Sequence, residues 1–155
     1  MSFIFQKVGR GKAEIYKILK NASATAITPG DAVCYDYSTS VDGIGVVLPS
    51  TLLLNMFAGV VAAGTTLAAS GSDGQYGKVQ VYGHHAAVKW VGSSVAAGTP
   101  LVPVNATGGM VIGATHSTSI NTANCEIQFA YAGETSTIAN SLYSATAKKA
   151  FIRAL

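Results

Sequence analysis

Three histidines (His84, His85 and His116), two cysteines (Cys34 and Cys125) and seven carboxylates are the side chains here whose types suit metal binding, nucleophilic attack or proton transfer. His84 and His85 are adjacent, and neighbouring side chains of a strand point to opposite faces, so the pair cannot chelate one ion from a regular strand. After Gly83 they are expected at a bend, one inward and hydrogen-bonded, the other exposed. A hydrolytic triad needs a nucleophile, a histidine base and an orienting carboxylate, and no Gly-x-Ser-x-Gly elbow presents a serine. Gly9-Arg10-Gly11-Lys12 lacks the eight-residue spacing of a phosphate loop. Gly71-Ser72-Asp73-Gly74 offers one carboxylate where a calcium loop needs several oxygen ligands. Cys34 and Cys125 fit neither a metal spacing nor a disulfide framework and are expected as buried thiols. The expectation is a chain with no catalytic residues, no metal and no cofactor; an enzyme of small-molecule hydrolysis using the three histidines ranks last.

The elements that hold these residues must come from a chain of unusual composition. At 155 residues it suits a single domain with one core. Apolar types reach 49% and charged types only 11%, against about 25% charge in ordinary soluble domains. Part of the apolar surface is therefore expected to meet a partner. Membrane insertion is a poor alternative, because the longest apolar stretch, Leu52 to Ala69, is broken by Asn55, Gly64, Thr65 and Thr66. Met1 to Lys20 shows no uninterrupted apolar run before a small-residue cleavage site, so no secretion signal is expected.

Net charge is +3, and its distribution is uneven. Lys7, Arg10, Lys12, Lys17 and Lys20 precede the body, and Lys148, Lys149 and Arg153 follow it, while six acids face Lys78 and Lys89 between. Basic ends on an acidic body read either as solvated tails or, more sharply, as arms that order against an acidic partner surface. The dense basic clusters interleaved with aromatics that nucleic acid favours are missing.

Short β-prone stretches separated by glycine and proline turns predict an all-β fold, a small β-barrel or β-sandwich with an extended N-terminal arm. The expected division is a basic arm over 1–24, a β-rich body over 25–133, and a C-terminal connection with a closing strand over 134–155. Thr28-Pro29-Gly30-Asp31 reads as a tight turn into a strand from Ala32 to Tyr37. Asp42-Gly43 marks a hairpin. Ser50 to Phe57 is equally compatible with a two-turn helix and a buried strand. Val79 and Val81 are expected on one face against Gln80 and Tyr82, with a further strand from His85 to Val91. In Glu126 to Tyr131, the alternation sends Ile127, Phe129 and Tyr131 to the core. Val61-Ala62-Ala63-Gly64-Thr65-Thr66-Leu67 recurs as Val95-Ala96-Ala97-Gly98-Thr99-Pro100-Leu101, read as two equivalent turn-into-strand corners of one barrel. Ser70 to Gly77 and Asn105 to Gly109 are expected as exposed loops.

Four segments carry a resemblance. Ile27-Thr28-Pro29-Gly30-Asp31-Ala32-Val33, Ala58-Gly59-Val60-Val61, Gly77-Lys78-Val79-Gln80-Val81-Tyr82-Gly83 and Ala96-Ala97-Gly98-Thr99-Pro100-Leu101 resemble, in kind and order, segments of tailed-bacteriophage head decoration (capsid cement) proteins, over residues 27 to 113. The resemblance implies a structural virion protein that binds the outer surface of an assembled head, staples neighbouring major capsid subunits and has no catalytic residues. A long basic stretch from Phe3 to Lys20 departs from the simplest members. On this reading the capsid-contact residues are Phe3, Phe5, Lys7, Arg10, Lys12, Lys17, Lys148, Lys149 and Arg153. The partners are the major capsid protein and further copies of the chain, as dimer or trimer, with no membrane and no direct nucleic acid. Assembly takes place in the host cytoplasm. The alternative is a glycan-binding β-sandwich on the virion surface, with Trp90 and Tyr82 as stacking candidates.

Overall fold

A computed structural model describes residues 4–9, 12–50, 56–90, 95–103, 110–112, 130–135 and 146–154. Every regular element among them is a strand: β1 (Ile4–Gly9), β2 (Lys12–Asn21), β3 (Ala32–Tyr35), β4 (Gly45–Val47), β5 (Phe57–Val61), β6 (Tyr76–Trp90), β7 (Pro100–Pro103), β8 (Met110–Ile112), β9 (Ala130–Ala132) and β10 (Thr146–Arg153). The chain is all-β, as its turn-punctuated sequence predicts.

The strands join in one mixed sheet in the order β1-β2-β4-β3-β5-β6-β10-β9-β7-β8, with two further pairings, β2 with β6 and β6 with β8. Those two pairings make the hydrogen bonding return on itself twice. One circuit runs β2-β4-β3-β5-β6 and the other β6-β10-β9-β7-β8, so β6 belongs to both. Its Tyr76–Tyr82 half pairs with β2 and its Tyr82–Trp90 half with β10. Gly83 stands at the handover with φ +103°, and a Cβ there would lie 2.3 Å from the carbonyl oxygen of Ala13. Only glycine tolerates both that angle and that approach.

Each circuit has its own core. Leu19, Ile27, Val33, Val46, Ala58, Val61, Leu67 and Val79 form the first. The second gathers Trp90, Val88, Val95, Leu101, Ala130, Ala132, Ala150 and Ile152 with Ala32, Phe57 and Val60. Strands β3 and β5 divide their residues between the two. Val33, Ala58 and Val61 face one core while Ala32, Phe57 and Val60 face the other, so β5 is buried along its length. A strand covered on both faces needs a continuous apolar run rather than an alternation, which Phe-Ala-Gly-Val-Val supplies.

The repeated heptapeptide proves to be one corner built twice, once for each core. The N–H of Thr65 donates to Ala62 O and that of Thr99 to Ala96 O, both at 3.1 Å, with Gly64 at φ +73° and Gly98 at φ +82°. Val61 and Leu67 enter the first core, Val95 and Leu101 the second. The expected hairpin also forms: Cys34 pairs with Val47 and Tyr35 with Val46 across the loop holding Gly43.

Four expectations are corrected. The basic segment over 1–24 is not a free arm, because Lys12–Asn21 is a strand that pairs with β1, β4 and β6. The body therefore extends beyond 25–133 at both ends, since β10 lies between β6 and β9. Val79, Gln80 and Val81 are all buried, so exposure does not follow the expected division of faces. Gln80 is paired on both edges of its strand and satisfies its side-chain amide by donating to Tyr82 O and His84 O. In β9, Ala130 and Ala132 are buried and Tyr131 is half-buried. The small alanines pack with Leu101 and Ile152, leaving Tyr131 on the other face, opposite Phe151. The expected loop Asn105 to Gly109, residues 51–55 and Glu126 to Phe129 lie outside the described residues.

Candidate functional site

The chemically suggestive residues are largely satisfied by their own fold. His85 is buried; its Nε2 lies 3.0 Å from Val61 O, and its Nδ1 accepts from the Ala87 N–H at 3.1 Å. Since Nδ1 accepts, Nε2 carries the proton and donates to the carbonyl, and burial pushes the imidazole pKa below its ordinary value. His84 is exposed. The pair thus divides inward and outward as expected, within a continuous strand. No group of three or more His, Cys, Asp or Glu side chains suited to a metal ion occurs among the described residues. Cys34 is a buried free thiol whose pKa desolvation raises to about 12; Cys125 and His116 lie outside the described residues.

The acids are similarly engaged. Asp31 accepts from the Thr28 N–H and hydroxyl and pairs with Lys89 Nζ at 2.6 Å. Lys89 also donates to Thr28 Oγ1, and its N–H to Gly30 O, so the Thr28–Asp31 turn is clamped onto β6. Asp36 is held below the usual carboxylate range by hydrogen bonds from the Ser38 and Thr39 hydroxyls. Asp42 is held down by the Ser40 hydroxyl and the Ile44 N–H.

What remains available is surface chemistry. Phe5 and Lys7 lie on β1, Lys12 and Lys17 on β2, and Lys148, Lys149 and Arg153 on β10; Phe3 and Arg10 are outside the described residues. β6 brings the two basic segments together, because Ile15 of β2 and Arg153 of β10 both register with Tyr82. Neighbouring strands are about 4.8 Å apart, so β2 and β10 come within about 10 Å of each other at Tyr82, and from there they run along opposite halves of β6. Lys17 donates to Tyr35 Oη at 3.1 Å and sits 5.7 Å from the centre of that ring. Tyr35 in turn stacks on Tyr37 at 5.6 Å.

A second aromatic group forms across β6 and β10. Phe151 meets Tyr82 edge-to-face at 5.1 Å and His84 at 5.3 Å. Phe151 and Tyr82 are half-buried, and His84, Lys149 and Arg153 are exposed. On β10, Ala150 and Ile152 face inward, so Lys149, Phe151 and Arg153 share the outer face with this aromatic group. Sequence reasoning singled out the charges of β10 and, as a sugar-stacking candidate, Tyr82, but neither Phe151 nor the grouping of the rings. The alternation in Lys149-Ala150-Phe151-Ile152-Arg153 was a usable signal; the partnership with Tyr82 and His84 depends on a register that no local pattern encodes. Trp90 is fully buried in the second core and cannot serve as a stacking platform.

A scan against protein-family models and a search of curated proteins gave no match.

Proposed function

We propose that this chain is a structural virion protein that seats on the outer surface of a phage head and cements neighbouring major capsid subunits. The observation that carries the reading is the anchoring of both basic segments on β6, one along each half of that strand. A protein that staples neighbours needs several attachment points held at fixed spacing, and β2 and β10 hold theirs through backbone pairing. The four segments that resemble decoration proteins support it as well. They supply the clamped turn before β3, most of β5, the first half of β6 and the corner before β7, and so border both cores. Sparse charge leaves apolar area for contact, and repetition across a shell multiplies weak individual sites.

The test is co-sedimentation of the purified protein with expanded heads assembled without it, followed by electron cryomicroscopy of the pellet. Stoichiometric density obeying the head symmetry is expected, with occupancy falling as salt screens the basic segments. Absence of binding at both low and moderate salt overturns the reading.

A further inference from the structure

We infer that the outer face formed by Tyr82, His84, Phe151, Lys149 and Arg153 is the docking face, and that its partner is an apolar coat-protein surface rimmed by carboxylates; the inference rests on the cementing reading above. Three observations carry it.

The first is preorganisation. Phe151 is fixed against Tyr82 and His84 by two edge-to-face contacts. Its backbone is paired on both edges, with β6 and with β9. Side chains already locked lose little freedom on binding, and anchors at protein interfaces are typically aromatic residues and arginine held in this way.

The second is charge. Lys149 and Arg153 flank Phe151 on the exposed side of β10, and neither takes part in a salt bridge among the described residues. Two acids are near: Glu134, whose carboxylate accepts from the Lys149 backbone N–H, and Glu14 beside Gly83, whose carboxylate accepts from the Tyr16 hydroxyl. Asp36, Asp42 and Asp73 lie on the loops after β3 and before β6, away from β10. A cationic rim around an apolar centre selects an anionic rim on the partner.

The third is ring orientation. Stacking of a nucleobase or a sugar requires open ring faces. Tyr82 and His84 each meet Phe151 at near a right angle, so the group offers no run of parallel rings for successive bases, an arrangement that favours a protein surface packed over it as a unit.

The experiment compares four proteins: wild type, Lys149→Glu/Arg153→Glu, His84→Glu, and Asp73→Asn as a control on the exposed loop before β6. Each is checked by far-UV circular dichroism and thermal melting, then co-sedimented with expanded heads assembled from the co-encoded major capsid protein alone. The substituted positions are exposed, so native melting is expected in all four. Wild type and Asp73→Asn should bind equally, with apparent affinity falling at least tenfold in Lys149→Glu/Arg153→Glu and in His84→Glu. If wild type binds and both face variants bind as tightly, the docking face is refuted while cementing stands. If wild type does not bind, cementing itself fails and the partner assignment falls with it. In a parallel arm with fluorescein-labelled oligothymidylate, retention by wild type that the double variant loses would give the face to single-stranded nucleic acid and overturn the inference.

Discussion

Replacing Asn21 tests whether the first core depends on one buried amide. Asn21 is fully buried at the end of β2. Its Nδ2 donates to Thr25 O at 2.7 Å, Ala68 O at 2.9 Å and Leu67 O at 3.3 Å, and its Oδ1 accepts from the N–H and hydroxyl of Ser23. In Asn21→Ala these losses are unequal. Leu67 O keeps the Ile27 N–H and Thr25 O keeps the Ser23 hydroxyl, whereas Ala68 O keeps none of the described bonds. The Ala68 acceptor and the Ser23 N–H donor are both stranded but half-buried, costing about 1 kcal/mol each, and the bonds lost at the two still-paired carbonyls cost about 0.5 kcal/mol each, for a total of about 3 kcal/mol. For a chain of this length that lowers Tm by roughly 6–12 °C. Asn21→Asp should be worse at neutral pH, since it sets an anionic oxygen against two carbonyl oxygens less than 3 Å away. Its folded-state pKa is then raised, the native state holds more protons than the unfolded state, and stability falls as pH rises above the unfolded value of about 3.9. Thermal melts followed by circular dichroism at pH 4.5 and 7.5 measure both. A Tm loss under 2 °C for Asn21→Ala, or an Asn21→Asp protein as stable as wild type at pH 7.5, would refute the reasoning.

Three further outcomes are expected. His85 is depressed by burial, so its contribution is complete above the unfolded pKa of about 6.5 and is lost as pH drops below that towards the folded value. Tm should therefore decline between pH 7.5 and 5.5 in wild type and be flatter in His85→Gln; equal slopes would count against this. Gly83→Ala brings a Cβ within 2.3 Å of Ala13 O and should leave the protein insoluble or destabilised by roughly 3 kcal/mol or more. Gly64→Ala meets nothing within 4 Å and should cost only the backbone penalty of about 1–2 kcal/mol, a difference that urea unfolding resolves. In a Cys125→Ser background, Cys34, with its thiol pKa near 12, should resist a thiol reagent at pH 8 until denaturant is added; rapid labelling of the folded protein would show that it is accessible.

Features set by local chemistry were the most legible in the sequence. The Thr28–Asp31 turn, the Asp42-Gly43 hairpin, the recurring corner and the closing strand at the C-terminus each depend on a few adjacent residues, and each is found. Long-range pairing was not legible. Lys12–Asn21 reads as a basic tail because Lys12, Lys17 and Lys20 dominate its composition, yet Leu19 is fully buried and the backbone fills the space between β6 and β4. Tyr131 reads as core because it continues the alternation of Ile127 and Phe129, but in β9 it is Ala130 and Ala132 that face the core. Tyr82 was named as a stacking candidate, but its grouping with Phe151 was missed for the same reason: the two are 69 residues apart in the chain, and only the β6–β10 register joins them.

Sharing β6 between the two circuits has a mechanical consequence. On the cementing reading proposed above, neighbours that move apart would pull on the chain, and a molecule of two independently closed halves would open at the link between them. Here the link is a fifteen-residue strand, paired with β2 along one half and β10 along the other. Tension applied along β6 loads many backbone hydrogen bonds in shear at once rather than peeling them in succession. The two cores are therefore expected to yield together, as a single spliced joint.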